Sequence, residues 1–132
     1  MIIQTQTTSF KTELYQGIHN LASDAIMIAL YTASASLDST TTAYTANGEA
    51  SGGAYIAGGQ QLQNPVIGSD GTIAYVSFSS VTWSGSITAR GALIYNASKG
   101  NRAIAVLNFG SDKISTGSFA VTMPAELIKS GV

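Results

Sequence analysis

Apolar residues follow two different rhythms along this chain. Near the start, in TTSFKTELYQGIHNLAS, Phe10, Leu14, Ile18 and Leu21 recur at spacings of four, four and three, the stripe of one helical face. The spacing predicts a short helix over about 9–21, with Thr8 or Ser9 capping it by accepting a hydrogen bond from an otherwise unpaired amide. Glu13 in the early turns suits the positive end of the helix dipole. Gly17 either weakens this helix, by up to about 1 kcal/mol, or permits close packing.

After Asp24 the period becomes two. AIMIALYT sets Ile26, Ile28 and Leu30 against Ala25, Met27, Ala29 and Tyr31, apolar on both sides. That pattern predicts a strand covered on both faces, by a second sheet on one and by the helix on the other. Residues 33–53 are small and polar, with Asn47-Gly48 and Gly52-Gly53 as turn signals. Loops longer than about 12 to 15 residues are uncommon unless functional, so this segment is either a contact arm or a floppy connection.

AYIAGGQQLQNPVI has room for two short strands around Gly58-Gly59. Pro65 must then sit at an edge or a strand end, because it cannot donate to a ladder. GTIAYVSFSSVTW follows a turn at Ser69-Asp70-Gly71, with Ile73 and Tyr75 on one side and Ala74, Val76 and Phe78 on the other. ITARGALIYNASKGNRAIAVLNFG reads as a hairpin, 86–95 against 102–109, whose polar tip gains positive φ from Gly100 and Asn101. GSFAVTMP alternates Phe119, Val121 and Met123 against Ser118, Ala120 and Thr122, a closing strand ended by Pro124. The tail AELIKSGV is a weak fragment, expected to order only against a neighbour.

Several short strands separated by turns, behind one helix, predict a mainly β fold: an antiparallel β-sandwich or jelly-roll-like barrel with one short N-terminal helix. No internal repeat or domain boundary is evident, so residues 1–132 read as a single domain.

Composition sharpens this picture. Only 10% of the residues are charged while 45% are apolar, and Ser, Thr, Asn, Gln and Gly supply the polarity. Such a surface is short of the charges that keep monomers apart, which favours a subunit of an assembly, although a secreted or adhesive module could share it. The net charge of −1 and the absence of a basic block argue against nucleic acid as a partner. The N-terminal MIIQTQTTSFKTELYQ lacks the basic leader and apolar run of a secretory signal, so the chain is read as folding in a cytoplasm. No apolar window is long enough for a membrane helix.

The residues offer little chemistry. With no cysteine, disulfides, thiolate metal sites and a cysteine nucleophile are excluded. His19 stands on the predicted helix beside Ile18 and Leu21; an exposed or interface histidine is the ordinary reading, since a triad needs a geometry that spacing cannot supply. Glu13, Asp24, Asp38, Glu49, Asp70, Asp112 and Glu126 are scattered singly, with no glycosidase-like pair and no calcium or zinc pattern. Asp70 and the glycines of NGEASGGAYIAGG read as turn formers, since the glycine run matches neither nucleotide-binding fingerprint. Asn96 opens an Asn-Ala-Ser glycosylation triplet but is better used in the hairpin turn. Trp83 reads as a core residue, with an interface anchor as the alternative. No catalytic residue, metal site or cofactor is expected.

The blocks SFKTELYQGIHNL, IMIALYTASASLDSTTTAYT, VTWSGSITARGALIYN, NRAIAVLNFGSDK and FAVTMP cover most of the chain in one order. In this layout the sequence resembles small virion proteins of tailed bacteriophages encoded among the head and tail structural genes. The resemblance implies a structural protein of the particle, a cement or decoration subunit that clasps the capsid and acts as a dimer or trimer. Its expected partners are the major capsid protein or other virion subunits and further copies of itself, with no nucleic acid and no membrane, and its expected location is the virion. A tail or head-to-tail connector component and a carbohydrate-binding sandwich are the alternatives. Contact regions are expected in the 33–53 arm, at the 99–102 hairpin tip and at the termini, with Tyr44, Asn47, Arg90, Lys99 and Arg102 as candidate interface residues. Arg90 shares a predicted face with Ala92 and Ile94, so its charge must reach a carboxylate, a carbonyl or the sheet edge; a surface arginine that lays its stem along apolar surface is the ordinary reading and a pair with a neighbouring subunit the alternative.

Overall fold

A computed structural model of the chain describes residues 1–123 and 127–129. In chain order its elements are β1 (Thr5–Gln6), α1 (Thr8–Tyr15), β2 (Ile26–Tyr31), β3 (Gln60–Gln61), β4 (Val66–Asp70), β5 (Ile73–Ser77), β6 (Val81–Ser84), β7 (Thr88–Asn96), β8 (Arg102–Ile114), β9 (Ser118–Val121) and β10 (Ile128–Lys129). The fold is mainly β with one short helix near the N-terminus, as the sequence pattern predicts. Strands pair antiparallel in three sheets: β1-β8-β7-β2-β3, β10-β5-β4 and β6-β9.

The β7–β8 hairpin is the spine. Its apolar runs pair from Asn96↔Arg102 at the tip, which a single 3-10 turn at Ala97–Lys99 closes with Gly100 at φ 69° and Asn101 at φ 60°. Toward the open end the register skips Arg90: Ala89 faces Lys113, but Gly91 faces Asn108. Four residues of β8, 109–112, stand against Arg90 alone; Phe109 in this bulge packs against the main core, and Arg90 leaves the regular alternation with Ala92 and Ile94 that the sequence predicted.

Both faces of the five-stranded sheet are covered, but not as expected. Ile26, Ile28 and Leu30 of β2 join Phe10, Ile94, Ile104, Val76, Trp83 and Phe119 in the main core, so helix and smaller sheets share one face. The opposite face, with Ala29, Tyr31, Leu93 and Val106, is covered by Ile2, Ala35 and Leu37. The polar segment after β2 is thus no floppy connection. Leu37 is fully buried and pairs with Ile2, and fully burying such a side chain stabilises by roughly 1.5 to 3 kcal/mol.

Helix α1 begins and ends differently from the prediction. Its N-cap is Thr7, whose hydroxyl accepts from the Phe10 amide at 3.2 Å, so neither Thr8 nor Ser9 caps it and Glu13 lies beyond the first turn. It ends at Tyr15 because Gly17 takes φ 72°, with Gly17 N–H donating to the Leu14 carbonyl and Ile18 N–H to that of Glu13. This pair of bonds is a Schellman stop. Phe10 is buried as predicted, whereas Leu14 is exposed.

Downstream, Pro65 immediately precedes the edge strand β4, and Phe119, Val121 and Met123 are buried as the alternation predicts. Trp83 is buried beside Tyr55 and Phe119. Pro124, expected to end the last long strand, lies outside the described residues, as do 125–126 and 130–132 of the tail. Leu127–Lys129 need no neighbouring molecule for order, since β10 pairs with β5 of the same chain.

Candidate functional site

Most of the polar residues that the sequence singles out serve internal ties. The first tie is built on Glu49. Its carboxylate accepts from the Tyr44 hydroxyl at 2.5 Å, from the Tyr55 hydroxyl at 2.5 Å and from the Gly58 amide at 2.8 Å. Tyr55 in turn accepts the Leu30 amide, Tyr95 donates to the Gly58 carbonyl and Tyr31 to that of Thr45. The Tyr44 ring packs on Tyr95 at 5.0 Å between centroids.

These bonds hold the long loop against the edge of β2, where short β3 leaves backbone groups without a strand partner; Ala50 N–H completes the cover on the Leu30 carbonyl. Burial, reinforced by the Glu49 charge and its hydrogen bond, pushes the Tyr44 phenol up to about 12 and the Tyr55 phenol higher still. Tyr31 and Tyr95 are raised by burial and the same charge.

The second tie joins the segment after α1 to the hairpin tip. Asn96 is fully buried; its Oδ1 accepts the Ser98 amide, so its Nδ2 is the donor to His19 Nδ1 at 3.0 Å and to Asp24 Oδ2 at 2.8 Å. This fixes the His19 tautomer: Nδ1 accepts, and Nε2–H donates to Glu13 Oε1 at 2.8 Å. The other Glu13 oxygen accepts from Arg102 at 2.9 Å, and Lys99 lies 3.4 Å from Asp24. Burial works against the Asp24 charge, but hydrogen bonds from Asn20 N–H, Asn96 and Lys99 outweigh it and hold the carboxyl below its ordinary value. With both ring nitrogens engaged, His19 has none open to a hydroxyl nucleophile. It is a buried structural histidine rather than an exposed one.

Of the five candidate interface residues, Tyr44, Lys99 and Arg102 therefore make bonds within the chain. Asn47 is exposed in a turn, its amide held by Thr45 Oγ1 at 3.2 Å. Arg90 is half exposed, 3.7 Å from Asp112 across the bulge, and lines an open cleft of about 530 Å³ with Met1, Ile3, Gln4 and Asn108.

The sequence did not single out the exposed apolar residues of β4. In β4, Val66 is 58% and Ile67 59% exposed, and the strand forms one edge of its sheet. Beside it a cleft of about 470 Å³ runs between Phe10, Leu14 and Leu21 on the helix side and Ile67, Val76 and Ile128 on the sheet side. The neighbouring Tyr15 is almost fully exposed. The readable signal was Pro-Val-Ile before a glycine turn, two β-branched residues on a strand that Pro65 marks as an edge.

Among the described residues no group of three potential metal ligands occurs, and no helix is long and apolar enough to cross a membrane. Compared with known protein families, curated protein sequences and solved structures, the chain matches none.

Proposed function

We propose that this chain works by association, as a structural subunit of a tailed-bacteriophage particle that stabilises the head by bridging major capsid subunits. The observation that carries the reading is the β4 edge, where Val66 and Ile67 are exposed on opposite faces and Ile67 borders an apolar cleft. Unpaired edges and clustered exposed apolar residues are liabilities for a free monomer and contact sites in an assembly. Two further features support it. Charged residues are scarce, at 10% of the chain. The titratable residues Glu13, Asp24, Glu49 and His19 are spent on internal ties.

Bridging would act through burial of apolar area, worth roughly 25 cal/mol per Å², repeated over symmetric copies. The test is to strip the protein from purified particles, restore it to half of them, and heat both. Higher DNA-release temperature in the restored sample supports a head-stabilising role. Equal release temperatures contradict it, and electron microscopy of labelled particles then distinguishes a tail or connector position from no particle position at all.

A further inference from the structure

We infer that the outer edge of β4 is a self-complementary docking strand that pairs antiparallel with β4 of a second copy about a two-fold axis through Gly68. The inference rests on the association reading and names the surface and its occupant.

The hairpin register shows which backbone groups are available. A two-residue turn, Gly71-Thr72, joins β4 to β5, with Gly71 at the positive φ that a type II′ turn requires. Asp70↔Ile73 is therefore a hydrogen-bonded pair, as are Gly68↔Tyr75 and Val66↔Ser77. Ile67 and Ser69 belong to the alternate pairs, so their N–H and C=O groups point away from β5. The pairing of Val76 with Ile128 on the far side of β5 follows the same alternation.

Each copy thus presents two donors and two acceptors, at Ile67 and Ser69. An antiparallel copy centred on Gly68 places Ile67 opposite Ser69 of the second copy and Ser69 opposite its Ile67. All four backbone hydrogen bonds then form. Shifting the axis to Ile67 would bring Pro65, which has no donor, opposite Ser69, and shifting it to Ser69 would bring the turn residue Gly71 opposite Ile67.

Side chains fit the same register. Gly68 lies on the axis, and its lack of a Cβ is already used: a Cβ there would come within 2.7 Å of the Tyr75 hydroxyl, which lies over it. In the paired sheet the two glycines are adjacent on one face, and the two Tyr75 rings cover them from either side, an aromatic cover over paired glycines. On the other face Ile67 meets Ser69 of the second copy and extends the apolar floor of the cleft. Asp70, the only charge in β4, stands opposite Val66, away from its own symmetry mate. The result is one six-stranded sheet, β10-β5-β4 continued by β4-β5-β10 of the second copy.

The test uses the whole chain. Light scattering should show a concentration-dependent dimer, and amide exchange at Ile67 and Ser69 should slow as dimer forms. Ser69→Pro removes an outward donor without touching the hairpin ladder and should abolish the dimer. The chain has no native cysteine, so the double variant Val66→Cys/Asp70→Cys places thiols opposite each other only between copies, in a non-hydrogen-bonded pair about 4.5 Å apart at Cα. Oxidation should link it into dimers and leave each single variant unlinked.

A monomer at every concentration, with both amides exchanging freely and no cross-link, overturns the pairing. An oligomer in which these amides stay open also overturns it, while leaving the association reading intact. Protection of Ile67 and Ser69 only after addition of capsid shells overturns the second copy as occupant in favour of a capsid strand.

Discussion

The Tyr55 hydroxyl bridges two parts of the chain: it accepts the amide of Leu30, near the end of β2, and donates to the carboxylate of Glu49 in the long loop. One side chain thereby closes a strand edge and anchors the segment that covers it. Glu49→Ala removes the shared acceptor of Tyr44, Tyr55 and Gly58 N–H. The expected cost is about 2 to 4 kcal/mol, because half-buried donors are left unpaired, read as a lower urea midpoint. Proteolysis should then begin within 33–59. An unchanged midpoint would mean that the loop is held by apolar contacts alone.

The same cluster predicts a loss of stability in alkali. The Tyr44 phenol ionises at about 12 in the folded chain against 10.0 ordinarily, and Tyr31, Tyr55 and Tyr95 are also raised. As pH rises the unfolded chain therefore releases phenolic protons first. Stability from this source is complete below pH 10.0 and is lost as pH climbs from there through about 12. Urea midpoints measured across that range should fall, less steeply in Tyr44→Phe than in the parent protein. A flat profile would contradict the burial of these phenols.

Asn96 and His19 form a coupled pair. Asn96→Ala leaves His19 Nδ1 without its donor and Asp24 without one of its hydrogen bonds, at an expected cost of about 1 to 3 kcal/mol. His19→Ala should cost a similar amount. The double variant should cost clearly less than the sum, because each single change already breaks their shared bond. Additive losses would indicate that the two act separately.

Two glycines separate conformation from contact. Gly100 has φ 69° with open space where a Cβ would stand, so Gly100→Ala should cost only the left-handed backbone penalty, roughly 1 to 2 kcal/mol. Gly59 has φ 84° and lies so close to β2 that a Cβ would fall 1.8 Å from the Ile28 carbonyl oxygen. Gly59→Ala should exceed about 4 kcal/mol, the range of severe core disruption. Thermal unfolding of the two variants provides the comparison; equal losses would mean that the loop can move off β2 freely.

The repeating elements were legible from local pattern. The β7–β8 hairpin, β2 and β9 declared themselves through period-two apolar runs, and Pro65 marked an edge. Legibility failed where long-range contacts decide. Phe10, Leu14, Ile18 and Leu21 suggested one helix over about 9–21, yet Gly17 stops α1 at Tyr15 and turns the chain so that His19 can reach Asn96. The 33–53 segment looked like a free arm because its anchors, Leu37 and Glu49, are single residues in a polar stretch. Ile2, the partner of Leu37, and Tyr55, which donates to Glu49, lie outside that segment. Arg90 fell out of its predicted face through a bulge whose extra residues belong to the opposite strand. The Glu49 cluster left one faint trace, a lone carboxylate between Tyr44 and Tyr55 in an otherwise uncharged region.

The most direct measurement of the proposed particle role is a count of this chain in virions released by cells that express it, by quantitative mass spectrometry against the major capsid protein. A structural subunit predicts a fixed ratio set by particle symmetry, retained through repeated gradient purification. A chain that is absent from purified particles and persists in lysates as a free monomer would contradict the account.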